Sequence, residues 1–339
     1  MRVGFLGAGL IATYHSKSLR RSRENVMWAG VFDPDTARSE AFAQASGARV
    51  CSSEDEVIDT CDAVYVCTWT AEHRRLVEAA AARGRAVFCE KPLATNLADA
   101  RAMADCVAAA GNGGVTNQVG LVLRRSPAFT MLRELVQDPQ SGRVMSIVFR
   151  DDQFIPTQGM YGSTWRGDVA RAGAGTLLEH SIHDIDLLEW VIGPIASVGT
   201  RSASFHEIEG IEDVVVATIG FASGGIGSLV SVWHDNLTRP SLRRVEVFCE
   251  RAWFALEGDW FGPVTWTRAD GSSGTLEGEA LVEAARAIVD DDLNPDGAFI
   301  RAVRNGHAAF PDFAVAVRAH EVADAMYRSA AADGAPVRT

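Results

Sequence analysis

No apolar run in this chain of 339 residues approaches the roughly 20 that a membrane-spanning helix needs. The one apolar stretch near the start is broken by glycines, so neither a membrane span nor a secretory leader is expected. Cysteine is sparse and never closely paired: the six residues Cys51, Cys61, Cys67, Cys89, Cys106 and Cys249 contain no Cys-x-x-Cys. Cys67 and Cys89 lie in apolar segments and read as reduced core thiols, which points to a cytoplasmic setting. Positive charge is short as well. With 32 Lys and Arg against 44 Asp and Glu, the net charge is -12, a balance that repels phosphate backbones and excludes nucleic acid as a partner. Repeats and low-complexity linkers are missing, and the length predicts two domains.

What is present begins at the first strand. Val3 to Leu6 is apolar and runs into Gly7-Ala8-Gly9-Leu10-Ile11-Ala12, with a helical pattern continuing to Leu19. Gly7 permits a tight turn, Gly9 lets backbone approach a pyrophosphate, and Ala12 lets the helix pack on the strand. A helix opening at Leu10 and Ile11 directs its free N–H groups and its dipole at phosphates. Asp33 ends the next apolar segment, where a carboxylate can accept hydrogen bonds from both adenosine ribose hydroxyls of NAD. A 2'-phosphate there meets a like charge, costing on the order of 4 kcal/mol at 4 Å and an effective dielectric near 20. NAD is therefore expected over NADP, although Asp33 also suits the start of the turn Asp33-Pro34-Asp35 and Arg38 lies near it.

Strand and helix alternate through the first third: strands at Val3 to Leu6, Val26 to Phe32, Ala63 to Cys67, Ala86 to Cys89 and Val115 to Val119. Helices fall between them, up to Leu19, then at Ala37 to Ala45, Ala71 to Ala82 and Leu97 to Ala110. The pattern predicts an α/β domain over residues 1–120, a Rossmann-type parallel sheet wound on both faces. Residues 121–339 read as an α+β domain with a large, mostly antiparallel open sheet. Its strands are expected at Arg143 to Arg150, Ser197 to Phe205, Val214 to Phe221, Ile226 to Val232 and Leu242 to Phe248. Its helices are expected at Ala128 to Val136, Thr176 to Ile192, Leu281 to Val289 and Asp312 to Ser329, with a frayed end from Ala330. These helices can cover one sheet face only, so the other is expected to meet a second subunit in a homodimer or homotetramer.

Two groups of residues suit chemistry. Glu90-Lys91-Pro92 ends a parallel strand, where open α/β sheets bind ligands, and Pro92 disfavours a helical Lys91. A lysine desolvated beside a cationic ring is able to exchange a proton near neutral pH; a solvated lysine paired with Glu90 is the plain alternative. The second group is Glu179-His180-Ser181-Ile182-His183-Asp184-Ile185-Asp186. One continuous helix here lines Glu179, His183 and Asp186 along one face, with Asp186 orienting the imidazole of His183. A zinc site from Glu179, His180 and His183 lacks a cysteine pair or a third histidine, so no metal is expected.

As a set, these residues resemble the Gfo/Idh/MocA oxidoreductases. The likeness runs through Gly7 to Ala12, Asp33, Asp62-Ala63-Val64-Tyr65-Val66-Cys67-Thr68 with His73, Gly84 to Glu90-Lys91-Pro92-Leu93-Ala94, Arg124, Pro127 and His183-Asp184-Ile185-Asp186-Leu187-Leu188. It implies hydride transfer between NAD and a carbon bearing a secondary hydroxyl on a sugar or cyclitol, with His183, aided by Lys91, removing the hydroxyl proton. It implies that Gly7, Gly9, Leu10, Ile11, Asp33, Thr68, Trp69, His73, Glu90 and Lys91 surround the cofactor. Many members carry aspartate four residues before the histidine; this chain has Glu179, with His180 beside it able to share the work. The family's Thr-Pro-Asn reads Thr68-Trp69-Thr70. Walls of the substrate side are implied at Trp165, Arg166 and Asp168 and at His234 and Asp235, Trp165 stacking on a sugar ring and the others bonding hydroxyls or amines.

The expected function is an NAD-dependent dehydrogenase acting on a small-molecule sugar, amino sugar or aminocyclitol glycoside, the acidic surplus favouring a cationic substrate. Alternatives are an NADPH-dependent ketoreductase of a nucleotide-linked deoxysugar, a non-catalytic dinucleotide sensor, and NAD-assisted glycoside cleavage.

Overall fold

The alternating first third becomes five strands, β1 (Arg2–Leu6), β2 (Met27–Phe32), β3 (Ala63–Val66), β4 (Ala86–Cys89) and β5 (Asn117–Val119), in the order β2-β1-β3-β4-β5. Every pairing is parallel. Helices α1 (Leu10–Arg21), α2 (Thr36–Ser46), α3 (Glu54–Thr60), α4 (Thr70–Ala82) and α5 (Leu97–Ala109) connect them. The chain leaves β1 for β2 and returns to β3 on the other side, which creates the switch point where such sheets bind ligands. Residues of β3 and β4 are buried throughout, as a sheet covered on both faces requires. Phe5, Tyr65 and Phe88 stack across three strands at centroid distances of 4.9 and 4.7 Å. The sequence pattern did not reveal α3, which is too short to show a period. Its start is nonetheless encoded: Ser53 accepts from the Glu56 N–H, and Glu54, Asp55 and Glu56 fill the first turn.

This computed structural model describes residues 1–111, 113–289 and 293–339. Beyond β5 the helices are α6 (Pro127–Gln137), α7 (Val169–Ala172), α8 (Thr176–Glu179), α9 (Ile182–Val191) and α10 (Gly278–Ile288). The strands are β6 (Val144–Phe154), β7 (Ile195–Ala203), β8 (Val214–Phe221), β9 (Ile226–His234), β10 (Leu242–Cys249), β11 (Ala252–Leu256), β12 (Val264–Arg268) and β13 (Ser273–Leu276). Then follow α11 (Pro295–Asn305), α12 (Phe313–Ala331) and β14 (Val337–Arg338). The second sheet has nine strands in the order β13-β12-β11-β10-β6-β9-β8-β7-β14. It is antiparallel except where β6 pairs with β9. No helix among the described residues is long and apolar enough to cross a membrane.

Two compact units result, Met1–Leu121 with Asn294–Val317, and Val122–Leu293 with Arg318–Thr339. The sequence pattern assigns everything after residue 120 to the second domain, whereas the structure returns Asn294–Val317 to the first. The reason is the apolar face of α11: Phe299 packs edge-on against Tyr65 and Phe88, at 5.7 and 5.6 Å. The expected fraying from Ala330 is also corrected, since β14 pairs with β7 through Val337 and Arg338.

The expected single helix from Thr176 to Ile192 is two. At its break the Ser181 hydroxyl donates to Ser231 Oγ at 2.6 Å, Thr176 Oγ1 lies 2.7 Å from the same oxygen, and the Ser181 N–H bonds the Thr176 carbonyl. These contacts anchor the turn to β9 and interrupt the helical ladder, so Glu179 and His183 are not successive turns of one helix. Gly175, which opens α8, faces the Glu212 backbone so closely that a Cβ would overlap it. Gly175→Ala is expected to destabilise the second unit by about 2–3 kcal/mol, read as a lower thermal midpoint; a midpoint equal to wild type contradicts this packing.

Candidate active site

In the first unit the turn after β1 is built for close approach. Gly7 has φ of 88°, and a Cβ there would stand 2.5 Å from the Cys67 carbonyl oxygen, so glycine is required. Gly9 differs: its φ of -75° suits any residue, and a Cβ would find nothing within 4 Å. It borders open space at the start of α1. No side chain caps that helix and no acid lies in its first turn, while Leu10 and Ile11 are exposed. The positive helix end is thus left for an external anion. Asp33, one residue past β2, accepts from the Ala8 N–H at 2.8 Å and from the Asp35 N–H at 2.9 Å, which fixes its carboxylate beside the glycine turn. These residues fit a dinucleotide, with Gly9 giving room for the pyrophosphate and Asp33 an acceptor for ribose.

Thr68 follows β3, and Trp69 is the N-cap residue of α4 with its ring part-exposed. His73 is buried and bonds only backbone carbonyls, Nδ1 those of Pro92 and Leu93 at 3.1 and 3.2 Å and Nε2 that of Thr68 at 3.3 Å. It braces the turns after β3 and β4, and burial lowers its pKa despite those acceptors. At the end of β4, Glu90 is buried; its Oε1 lies 2.7 Å from His15 Nε2 and its Oε2 accepts the Lys91 N–H at 3.2 Å. Lys91 precedes a cis peptide to Pro92.

His15 Nδ1 meets Asp296 Oδ1 of α11 at 2.7 Å, so one buried imidazole lies between two carboxylates. Burial alone would lower its pKa, but the charges and hydrogen bonds of Asp296 and Glu90 outweigh it and raise the value to about 10. The sequence singled out Glu90 but not His15 or Asp296. The available signal was positional: Ala12, His15, Ser16 and Leu19 form the buried stripe of α1, and a histidine there needs partners. Because the folded pKa lies above the unfolded value of about 6.5, this contribution is complete below about pH 6.5 and is lost as pH rises through about 10. Urea unfolding is expected to show stability declining across that window in wild type, with a flatter dependence in His15→Gln; parallel curves contradict the triad.

In the second unit, Arg166 donates from Nε to Glu179 Oε1 at 2.6 Å and from a terminal nitrogen to Ser163 Oγ at 2.7 Å, with its guanidinium carbon 4.5 Å from the centre of the Trp165 ring. Trp165 packs on the apolar cluster of Ile155, Ala172, Ile211 and Trp233. Three of the sequence-derived residues therefore form one stack. Asp168 instead caps α7, accepting the Ala170 N–H at 3.0 Å, and pairs with Arg171. His234 Nδ1 accepts the Asn236 N–H at 3.1 Å, and exposed Asp235 accepts from Gln158 at 2.9 Å and lies 3.1 Å from His206 Nε2.

His183 is buried in the first turn of α9. Both carboxylate oxygens of Asp186 accept from Arg124, at 2.5 to 3.1 Å, in a buried bidentate pair. His180 Nε2 lies 2.7 Å from Asp151 Oδ2. Asp184 stands in the sequence motif without a role of its own, and Asp151 and Arg243, which complete the surroundings of His180, drew no attention in the sequence because they lie on other elements. Cys67 and Cys89 are free and buried, and burial pushes both thiols up.

Residues 1–118 match the Gfo/Idh/MocA oxidoreductase family model for an NAD-binding Rossmann fold, and residues 129–255 match the C-terminal domain of that family. The chain belongs to the Gfo/Idh/MocA oxidoreductases. Among relatives of this oxidoreductase, inositol 2-dehydrogenase of Cereibacter sphaeroides is 31% identical over 66% of this chain and 64% of its own length. The match thus spans slightly less than two thirds of that protein. The 1,5-anhydro-D-fructose reductase of Ensifer adhaerens is 32% identical over 70% of this chain and 69% of its own length. A solved oxidoreductase domain protein of Kribbella flavida shares the fold at TM-score 0.85 and 22% identity, covering 99% of this chain and 98% of that one.

Proposed function

We propose that this Gfo/Idh/MocA oxidoreductase is an NAD-dependent dehydrogenase that oxidises a secondary ring hydroxyl of a sugar or cyclitol to a ketone. The observation that carries the reading is the uncapped start of α1 behind Gly7 and Gly9, with Asp33 fixed beside it. Its relatives, an inositol dehydrogenase and an anhydrofructose reductase by name, act on substrates of this class. When bound, NAD supplies a nicotinamide ring that accepts hydride from the carbon being oxidised.

The chain's own residues bind, orient and move protons. The N–H groups opening α1 hold the pyrophosphate and Asp33 the adenosine ribose. Leu10, Ile11, Thr68 and Trp69 border the cofactor, and Glu90, braced by His15, sets the backbone of Lys91, with His73 holding the carbonyls of Pro92 and Leu93 beyond it. His183 takes the hydroxyl proton, with Lys91 as the second proton-handling group. Glu179, oriented by Arg166, and His180 tune that proton transfer. Trp165 stacks on the ring, while Arg166, Asp168, His234 and Asp235 meet its polar groups. The reading extends to an amino sugar or aminocyclitol glycoside, favoured by the net charge of -12, and to a homodimer or homotetramer joined through the half-covered face of the second sheet. That face carries exposed Val148, Val216 and Phe248.

Against a ketoreductase using NADPH stands Asp33, together with Arg38, whose guanidinium pairs with Asp35 at 3.3 Å. Wild type is expected to bind NADH well ahead of NADPH in a fluorescence titration. Gly9→Val is expected to leave the melting point of the free protein unchanged and to weaken NADH binding; equal affinity for both cofactors, or undisturbed binding by the variant, overturns the assignment.

Proton removal by a positioned base is worth typically 10²- to 10⁴-fold. His183→Ala and Lys91→Ala are each expected to lower kcat for the best sugar or cyclitol of a panel by about 10²-fold or more, with NADH affinity retained in His183→Ala. Rates equal to wild type in both variants remove the proposed roles.

A further inference from the structure

Four charged side chains of the second unit meet, three of them buried and Asp259 partly so. Arg243 on β10 directs its guanidinium at three carboxylates: Nε to Asp184 Oδ1 at 2.6 Å, one terminal nitrogen to Asp259 Oδ2 at 2.7 Å, the other to Asp151 Oδ2 at 3.0 Å. That second nitrogen also lies 3.2 Å from His180 Nε2, which is itself 2.7 Å from Asp151 Oδ2. Asp151 and Asp184 are fully buried, whereas the His180 side chain remains 13% accessible.

One guanidinium does not balance three carboxylates, and an uncompensated buried charge is costly. Asp151 Oδ1 and Asp184 Oδ2 accept no hydrogen bond from any described donor, while the other oxygen of each is held by the one Arg243 guanidinium. Two such buried carboxyls beside one cation are matched best when one of them carries a proton. Burial raises both groups, Asp184 to about 7, against the opposing pull of Arg243. Neighbouring Asp152 is held ionised by Arg239 and Arg150, and its charge further favours a proton on Asp151.

We propose that Asp151 and Asp184 share one proton beneath Arg243 and thereby govern the protonation of His180. Its use in catalysis rests on the dehydrogenase reading; the proton sharing itself does not. Asp151, Asp184 and Arg243 act here as positioning residues. With one proton in the pair, Asp151 keeps a negative charge that accepts from His180 Nε2–H. When Nε2 carries no hydrogen, the shared proton lies on Asp151 and passes from there to Nε2, a transfer that changes neither the net charge of the cluster nor its proton count and so needs no counter-ion. His180, at the accessible end, thus receives or returns a proton in exchange with a buried store, and the two sites titrate as a coupled system.

The test is nuclear magnetic resonance of the imidazoles of the intact protein across pH, with the His180 signal among eight histidines identified by its loss in His180→Gln. Wild type is expected to show a two-step His180 titration. Asp184→Asn, which keeps a donor for Asp151 and an acceptor for Arg243, is expected to reduce it to one step. Asp151→Asn is expected to lower the midpoint by about one pH unit or more. In kinetics, Asp184→Asn is expected to remove one limb of the kcat–pH profile with KM little changed. A one-step titration that is the same in wild type and Asp184→Asn overturns the proposal even where Asp151→Asn fails to fold. An unchanged kcat–pH profile overturns the catalytic part. If no sugar or cyclitol is turned over, the dehydrogenase reading fails while the imidazole titration still decides the shared proton.

Discussion

The first unit depends on one buried contact, the His15 imidazole held between Glu90 and Asp296. It joins the middle of α1, the end of β4 and the start of α11, three places far apart in sequence. Such a group is expensive to bury unless every polar atom is matched, and here both ring nitrogens meet carboxylate oxygens. The consequence reaches the backbone that presents Lys91. Glu90 gives one oxygen to His15 and the other to the Lys91 N–H, while His73 holds the carbonyls of Pro92 and Leu93. The lysine thus stands on a support fixed from both sides, which is what a group that must meet a reacting atom requires.

The second unit meets a related problem with a larger surplus of negative charge. In the first, one imidazolium lies between two anions; in the second, Arg243 lies among three carboxylates, and the proposed shared proton removes one of the two unbalanced negative charges. Both clusters tie a candidate site to several elements. The Trp165, Arg166 and Glu179 stack does so by other means, with an apolar cluster beneath the indole and a charge-assisted hydrogen bond above it.

What was legible in the sequence was local. Gly7, Gly9, Ala12 and Asp33 carry their meaning within one strand-turn-helix unit, and β4 and β8 were placed residue for residue because apolar runs and turn residues bound them. The turn at His180 and Ser181 was not legible, since it depends on Ser231, which lies 50 residues away along the chain. Nor was the return of α11, whose place is set by Phe299 against Tyr65 and Phe88 and by Asp296 against His15. Strands β11 to β13 escaped notice because they are short and interrupted by glycine and charged turns. His15 and Arg243 illustrate the same limit: a buried charge is read from its partners, and those partners lie up to 281 residues apart.

In the proposed reaction, hydride passes from a ring carbon of a sugar or cyclitol to NAD held at the start of α1. The most direct measurement is isotopic. The protein is incubated with NAD and a panel of polyols deuterated at their secondary carbons, and the reduced cofactor is analysed by mass spectrometry. Deuterium in the NADH, with a matching ketone, is the predicted result. A substrate converted with no deuterium in the cofactor would contradict the claim.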